Sequence, residues 1–401
     1  MEDYETVYHN LLGLLSFSLF NKTPNIIGEL ETDAVLRESI NQKVFPLVFS
    51  AVSKLDGNYP LEKWQPLFDK NIAANIHLFN NHIQLHNLLK SNNINFFFLK
   101  GVVSAQYYNE PLLRTMGDVD FIVNKNDIST VTNLLKRNGF NKQKSNTHHI
   151  SFKKADLYRV ELHWQPSGMP TDSDFKSRVL SLIDNSFSKT NEINIFNGVI
   201  NSPPHLIHGL TLLLHNAEHI VTSGIGLRHL CDWAVFVNNF SEDEFCNMFK
   251  ETFEKIKIWD FCCCLTAICH KYLGSNYFAF SEFDETVVDG LFQDICASGE
   301  FANKEPERYN QSKFIGNYSG TFNSDYVGFK NLFRALFYKV KVEHTICEKY
   351  KILIPFFAIN TLFKFAFKVI KGKRFTLNYK SDMKSAKERN AIYNKLNIFK
   401  K

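Results

Sequence analysis

From residue 4 to residue 92, apolar side chains recur at three- and four-residue steps, as in Ile72, Ile76, Phe79 and Ile83. That period predicts helices throughout this stretch. Pro60 suits the start of the longest one.

The pattern changes at Asn95. Asn95-Phe96-Phe97-Phe98-Leu99 is a short apolar run ending at Lys100-Gly101, which predicts a buried strand. Residues 102 to 109 fit a short helix. Asp118-Val119-Asp120-Phe121-Ile122-Val123 reads as a second strand. Asn126-Asp127 can cap a helix running to Arg137, and Gly139 stops it. His149 to Lys153 and Leu157 to Trp164 form a strand pair around a turn at Lys154-Ala155-Asp156. Pro203-Pro204 opens a second helical region that runs to roughly residue 300. The polar stretch 302–325 reads as a loop, and an apolar-aromatic helix follows over about 326–370. The expected organisation is therefore 1–93 helical, 94–200 an α/β module, 201–300 helical, 301–370 a loop and helix, and 371–401 a basic tail.

Composition narrows this. Apolar residues make up 44% of the 401 positions, enough for two or three domains with a sizeable core. The formal charge of +5 is concentrated at one end. Residues 371–401 carry ten Lys/Arg against two acids, which leaves the rest slightly negative. A basic body for general nucleic-acid binding is thus not supported. The eight Cys lack paired metal spacing, and Cys262, Cys263 and Cys264 act as small hydrophobes in a helical pattern. An acidic N-terminus and free thiols point to a cytoplasmic protein. No apolar run is long enough to predict a spanning helix.

The chemistry starts from Asp118 and Asp120. Alternate residues of a strand share a face, so these carboxylates project together, ~6.5–7 Å apart at the backbone. At ~5 Å their repulsion is about 3 kcal/mol for an effective dielectric near 20. A hard cation such as Mg²⁺ would relieve it. Glu161 is an acid embedded in the apolar strand Val160-Glu161-Leu162-His163-Trp164. If that strand lies beside Asp120, Glu161 completes a three-carboxylate site and can accept a proton. Lys100-Gly101, between a strand and a helix, suits a phosphate, and Arg114 adds modestly. His163 shares the face of Glu161 and can bond a carboxylate or a nucleotide. Taken alone, an Asp-x-Asp is more often a strand end or a solvated pair, and Glu161 could be an edge acid facing water.

These residues resemble a known family. Phe98-Leu99-Lys100-Gly101, then Arg114-Thr115-Met116-Gly117-Asp118-Val119-Asp120-Phe121-Ile122-Val123, Asn138-Gly139-Phe140 and Glu161-Leu162-His163-Trp164 are similar to the "uncharacterised nucleotidyltransferase" family of the DNA polymerase beta-type superfamily. His215-Asn216-Ala217-Glu218-His219 and Leu227-Arg228-His229-Leu230-Cys231-Asp232-Trp233 extend the resemblance. It implies an α+β fold: a small mixed β-sheet flanked by helices, with N-terminal helices and a C-terminal helical domain closing over a nucleotide. It also implies Asp118, Asp120 and Glu161 as metal ligands and catalytic acids, with Mg²⁺ or Mn²⁺ and an NTP as substrate. Lys100, Gly101, Arg114, His163, His215 and Arg228 are the expected nucleotide contacts. The Lys100-Gly101 turn replaces the Gly-Ser or Gly-Gly usual in the wider superfamily, and Glu161 replaces the commoner Asp.

Three secondary readings complete the picture. His215 and His219 share a helix face; they contact metal or phosphate, or else bond Asp232 or Arg228. Arg228 and Asp232, also four apart, are expected to pair. Residues 352–363 and the basic tail fit either a helix lying on anionic lipid or a core helix with a solvated tail. Transfer of an NMP to an unidentified acceptor, in surface-polysaccharide or peptide-product biosynthesis by family analogy, competes with two alternatives. One is a non-catalytic nucleotide- or partner-binding module. The other is a toxin-type transferase acting on RNA or protein.

Overall fold

The computed structural model describes residues 2–146, 148–155, 159–170, 172–315, 328–344, 346–370 and 379–400. Four helices lead the chain: α1 (Glu2–Phe20), α2 (Thr32–Asn41), α3 (Phe45–Ser53) and α4 (Gln65–Ser91). Pro60 does not start the longest helix. Pro66 takes the first-turn position of α4, where a missing N–H costs nothing. The chain between is held by turns, with Trp64 Nε1 donating to Asp33 at 3.0 Å.

A five-stranded mixed sheet follows. Its strands are β1 (Phe96–Phe98), β2 (Val119–Val123), β3 (Asn141–Ser145), β4 (His149–Lys153) and β5 (Val160–His163), in spatial order β1-β2-β5-β4-β3. Only β2 and β5 run parallel. The short helices α5 (Gly101–Ala105) and α6 (Ile128–Arg137) connect strands as the sequence suggested, α5 ending earlier than expected. Asp127 precedes α6 without a side-chain cap, and Gly139 follows it at φ +84°. The expected turn and strand positions 156–158 lie outside the described residues. A helix α7 (Ser173–Ser186) and a separate hairpin, β6 (Asn191–Ile195) with β7 (Gly198–Ser202), complete the stretch. None of α7, β3 and the hairpin was expected.

The pleat gives the sheet two different faces. Val119, Phe121, Val123, Val160, Leu162, Ile150 and Phe152 pack into one core with residues of α4 and α6. Phe97 and Ile122 join a larger core built with α1, α3, α8 (His205–Thr222) and α9 (Leu227–Val237). Asp120, Glu161 and His163 belong to this second face by register. Polar side chains there lie between the sheet and the helical body.

The C-terminal third departs from expectation. A helix Arg308–Ile315 lies within the stretch read as a loop, and residues 316–327 lie outside the described residues. Arg308 anchors it, donating to Asp294 Oδ1 at 2.7 Å and to the Ile220 carbonyl at 2.9 Å. The expected long helix is three: Phe329–Glu343, Ile346–Lys349 and Ile354–Ile370. Residues 371–378 are also outside the described residues. The rest is no solvated tail: a helix Tyr379–Lys395 docks through buried Ala386, Tyr393, Leu396, Ile398 and Phe399. Its Arg389 reaches Asp294 at 3.0 Å and Glu305 at 2.9 Å. Nor is Ile354–Ile370 a core helix, since most of its large apolar side chains are exposed. No helix of the described residues is long and apolar enough to cross a membrane.

Candidate active site

The backbone of β1 and β2 sets the first element. Leu99 N–H donates to the Asp120 carbonyl at 2.9 Å, closing the strand pair. Lys100 then turns the chain with φ +46°, a left-handed conformation that usually costs a non-glycine residue ~1–3 kcal/mol. The turn aims its side chain back over the sheet, where Nζ lies 3.0 Å from Asp120 Oδ2. Gly101 opens α5 in free space: a Cβ there would meet only Arg114 Nη1, at 3.9 Å.

Asp120 and Glu161 are register partners on the parallel strands β2 and β5. The strand adjacency the sequence argument required is therefore present. His163 Nε2 lies 3.2 Å from Asp120 Oδ1 and 3.7 Å from Glu161 Oε2. Ser151, across on β4, donates to Glu161 Oε1 at 3.1 Å. Arg159 Nη1 stands 3.7 Å from the same oxygen. Asp118 sits one residue ahead of β2, partly exposed. Asp120, Glu161 and His163 each present a ligand atom, and the three lie within 4.8 Å of one another.

The electrostatics are unequal. The charge of Asp120, and then burial, push the Asp118 carboxyl up to about 6. Burial works against ionisation of Asp120 as well, but Lys100 and His163 overcome it and hold Asp120 well below the usual carboxylate range. Burial opposes ionisation of Glu161, but the nearby imidazoles of His163 and His149 together outweigh it, so that carboxyl is lowered. Burial opposes protonation of His163, yet its bond to Asp120 and the nearby carboxylate of Glu161 raise it. Lys100 is likewise raised: Asp120 and Asp118 outweigh its desolvation. One acid of the three is thus left to carry the repulsion.

The sequence matches the model of the uncharacterised nucleotidyltransferase family over residues 28–274. The chain belongs to this family. No curated protein matches it at a significant level. The matched span holds the whole sheet and the helices α8 and α9 that face it.

Within this nucleotidyltransferase, the other expected contacts divide. Arg114 is engaged by Asp232, while its Nη1 remains the atom nearest the open side of Gly101. It is 2% exposed and binds Asp232 through two bonds, Nε to Oδ1 at 2.7 Å and Nη2 to Oδ2 at 2.6 Å. Arg228 consequently does not pair with Asp232. Its Nε lies 3.1 Å from Glu300 Oε1, and its charge still helps stabilise the Asp118 carboxylate. Both pairings differ from the i, i+4 expectation because each helix residue meets a stronger partner from a distant segment. His215 bonds Ser167 Oγ at 3.2 Å and His219 bonds Ser223 Oγ at 2.7 Å, neither reaching Asp232 or Arg228. Burial pushes His215 well below the ordinary imidazole value and His219 down to about 3. His215 stacks on His229, whose Nδ1 lies 3.1 Å from Glu300 Oε2.

Sequence reasoning missed two residues beside the acids. His149 Nε2 lies 3.6 Å from Glu161 Oε2, and the ring of His148 stands 5.9 Å from that of His163. The signal was available: two adjacent histidines at the start of a strand predicted to pair with the Glu161 strand.

Proposed function

We propose that this nucleotidyltransferase moves an NMP from an NTP to an acceptor hydroxyl by in-line attack at the α-phosphate. The observation that carries the reading is Asp120 and Glu161 in register on parallel strands, with Asp118 raised to about 6 beside them. Three acids gather on this face with Lys100, His163 and Arg159 as their near partners, and the carboxylate oxygens suit Mg²⁺ or Mn²⁺. Asp118, Asp120 and Glu161 would hold it. When bound, it would neutralise charge on the phosphate oxygens and bring the NTP to the acids.

The protein's own groups do the rest. Lys100 supplies a fixed positive charge beside Asp120, and the open backbone at Gly101 admits a phosphate oxygen. Arg228, partly exposed on α9, offers a second cation from the helical side. The acceptor oxygen bonds to the α-phosphorus as the bond to the β-phosphate oxygen breaks, and pyrophosphate leaves. Glu161 accepts the acceptor's proton. Its lowered value keeps it ionised and ready to do so. His163 holds Asp120 and Glu161 in place. Arg114 acts one step back, fixing the loop before Asp118 to α9 through Asp232.

A second feature favours peripheral contact with an anionic membrane. On and just before the helix Ile354–Ile370, exposed Ile352, Phe356, Ile359, Phe363, Phe367 and Ile370 follow three- and four-residue steps. This is one apolar stripe turned outward, accompanied by Lys351 and Lys364 and followed in sequence by Lys371, Lys373 and Arg374. A lipid-linked acceptor would fit that arrangement.

Calorimetric titration of each NTP in the presence of Mg²⁺ tests the site. Binding should depend on Mg²⁺ and fail in Asp118→Asn and Asp120→Asn. Equal binding by wild type and both variants would refute the assignment.

A further inference from the structure

Three imidazoles gather at one edge of the carboxylate cluster. His149 opens β4 and is the register partner of His163 at the end of β5. His148 precedes β4, outside the alternation of the strand, and its ring centre lies 4.7 Å from that of His149. The rings of His149 and His163 are 5.0 Å apart. One ring nitrogen from each residue falls within a set whose members are all within 4.8 Å of one another. Nδ1 of His149 and Nδ1 of His163 are buried without a hydrogen-bond partner. Two orphaned imidazole nitrogens beside a third ring leave donor capacity that the protein itself does not use.

We propose that His148, His149 and His163 form a nitrogen-rich seat for Zn²⁺, neighbouring the oxygen seat of Asp118, Asp120 and Glu161. Imidazole suits borderline ions such as Zn²⁺, whereas Mg²⁺ takes oxygen ligands. Nitrogens on one tetrahedral zinc at ~2.0–2.1 Å stand ~3.4 Å apart, so ring rotations drawing the cluster in by about 1 Å complete the site. The ion would tie β4 to β5 one step from the Ser151–Glu161 bond and fix the position of Glu161. His163 belongs to this seat and also contacts Asp120, so occupancy of one seat is felt at the other. The assignment does not rest on the identity of the nucleotide or of the acceptor.

The test uses the full chain, stripped with a chelator and titrated with Zn²⁺ alone. One equivalent should bind and raise the thermal midpoint. His148→Ala, which removes a direct ligand of the nitrogen seat, should weaken binding by at least the ~10–100-fold typical of losing an outer-shell partner. Asp118→Asn should change zinc affinity far less than His148→Ala does. X-ray absorption of zinc-loaded wild type gives an answer that needs no variant: three imidazole ligands are expected. An all-oxygen shell, unchanged affinity in His148→Ala, or loss of zinc in Asp118→Asn would overturn the proposal. Mg²⁺-dependent NTP binding that persists through any of these results leaves the nucleotidyl-transfer reading standing.

Discussion

Asp120 and Asp232 are both buried aspartates held ionised by a basic partner, yet they occupy opposite kinds of environment. Asp232 meets a bidentate Arg114 and accepts a third bond from Tyr108 at 2.7 Å. Its charge is matched and its oxygens are occupied. Asp120 has one lysine at 3.0 Å and one histidine at 3.2 Å, and it shares them with Asp118 and Glu161. The first arrangement is complete within the chain and joins the loop before the site to the helical body. The second carries surplus negative charge that folding alone would not select. In the proposed reaction, that is where a cation, and with it a phosphate, would bind.

The comparison can be broken from either side. The largest effect should come from the Asp120 side in an activity assay. Asp120→Asn should lower NTP turnover about 1,000-fold or more, because several kcal/mol of charge stabilisation are lost and each ~1.4 kcal/mol is tenfold. Denaturant melts of this variant should also show a loss of stability, because Lys100 and His163 lose the carboxylate they hold ionised. On the Asp232 side the effect falls on the fold alone. Arg114→Ala leaves a buried carboxylate unpaired and should destabilise the fold by roughly 3–5 kcal/mol, read as a lower urea midpoint.

Asp118 sharpens the contrast through pH. Its folded value of about 6 lies above the ordinary 3.8, so folding disfavours its ionised form. The penalty is fully present above pH ~6 and fades as pH falls toward ~4. Asp118→Asn should therefore stabilise the metal-free protein by about 1–3 kcal/mol near neutral pH, the range allowing for partial solvent screening. Thermal melts of variant and wild type should converge as the pH drops, and Mg²⁺ should erase the difference near pH 7. A gain that grew toward low pH would mean that repulsion from Asp120 is not its source. The smallest effect concerns the outer helix. Replacing Phe356 and Phe363 by Asp should cut co-sedimentation with anionic vesicles several-fold and leave NTP binding unaltered.

Much of the site was legible because it obeys strand alternation. Asp120, Glu161 and His163 follow a period of two, with Asp118 one residue ahead of its strand, and their adjacency required only that two apolar runs pair. β3 escaped notice because Asn-Lys-Gln-Lys-Ser has no apolar alternation: it is an edge strand held by pairing with β4. The partners of Arg114 and Arg228 could not be read either. Spacing of four on α9 suggested a local pair, whereas Arg114 and Glu300 arrive from 118 and 72 residues away. The last helix was hidden for a related reason. Its few buried side chains, Ala386 and Tyr393 among them, sit in a strongly polar sequence, and a buried arginine–aspartate cluster around Asp294 holds it. The outward stripe on Ile354–Ile370 was visible as an apolar run, but which way it faced was not.

The central claim is that the surplus acids hold a cation for nucleotidyl transfer. Incubating the protein with each α-phosphate-labelled NTP, Mg²⁺ and a cell lysate tests it most directly. The account predicts Mg²⁺-dependent passage of label to an acceptor with release of pyrophosphate, abolished in Asp118→Asn and Asp120→Asn. Label transfer of equal extent in wild type and both variants would contradict it.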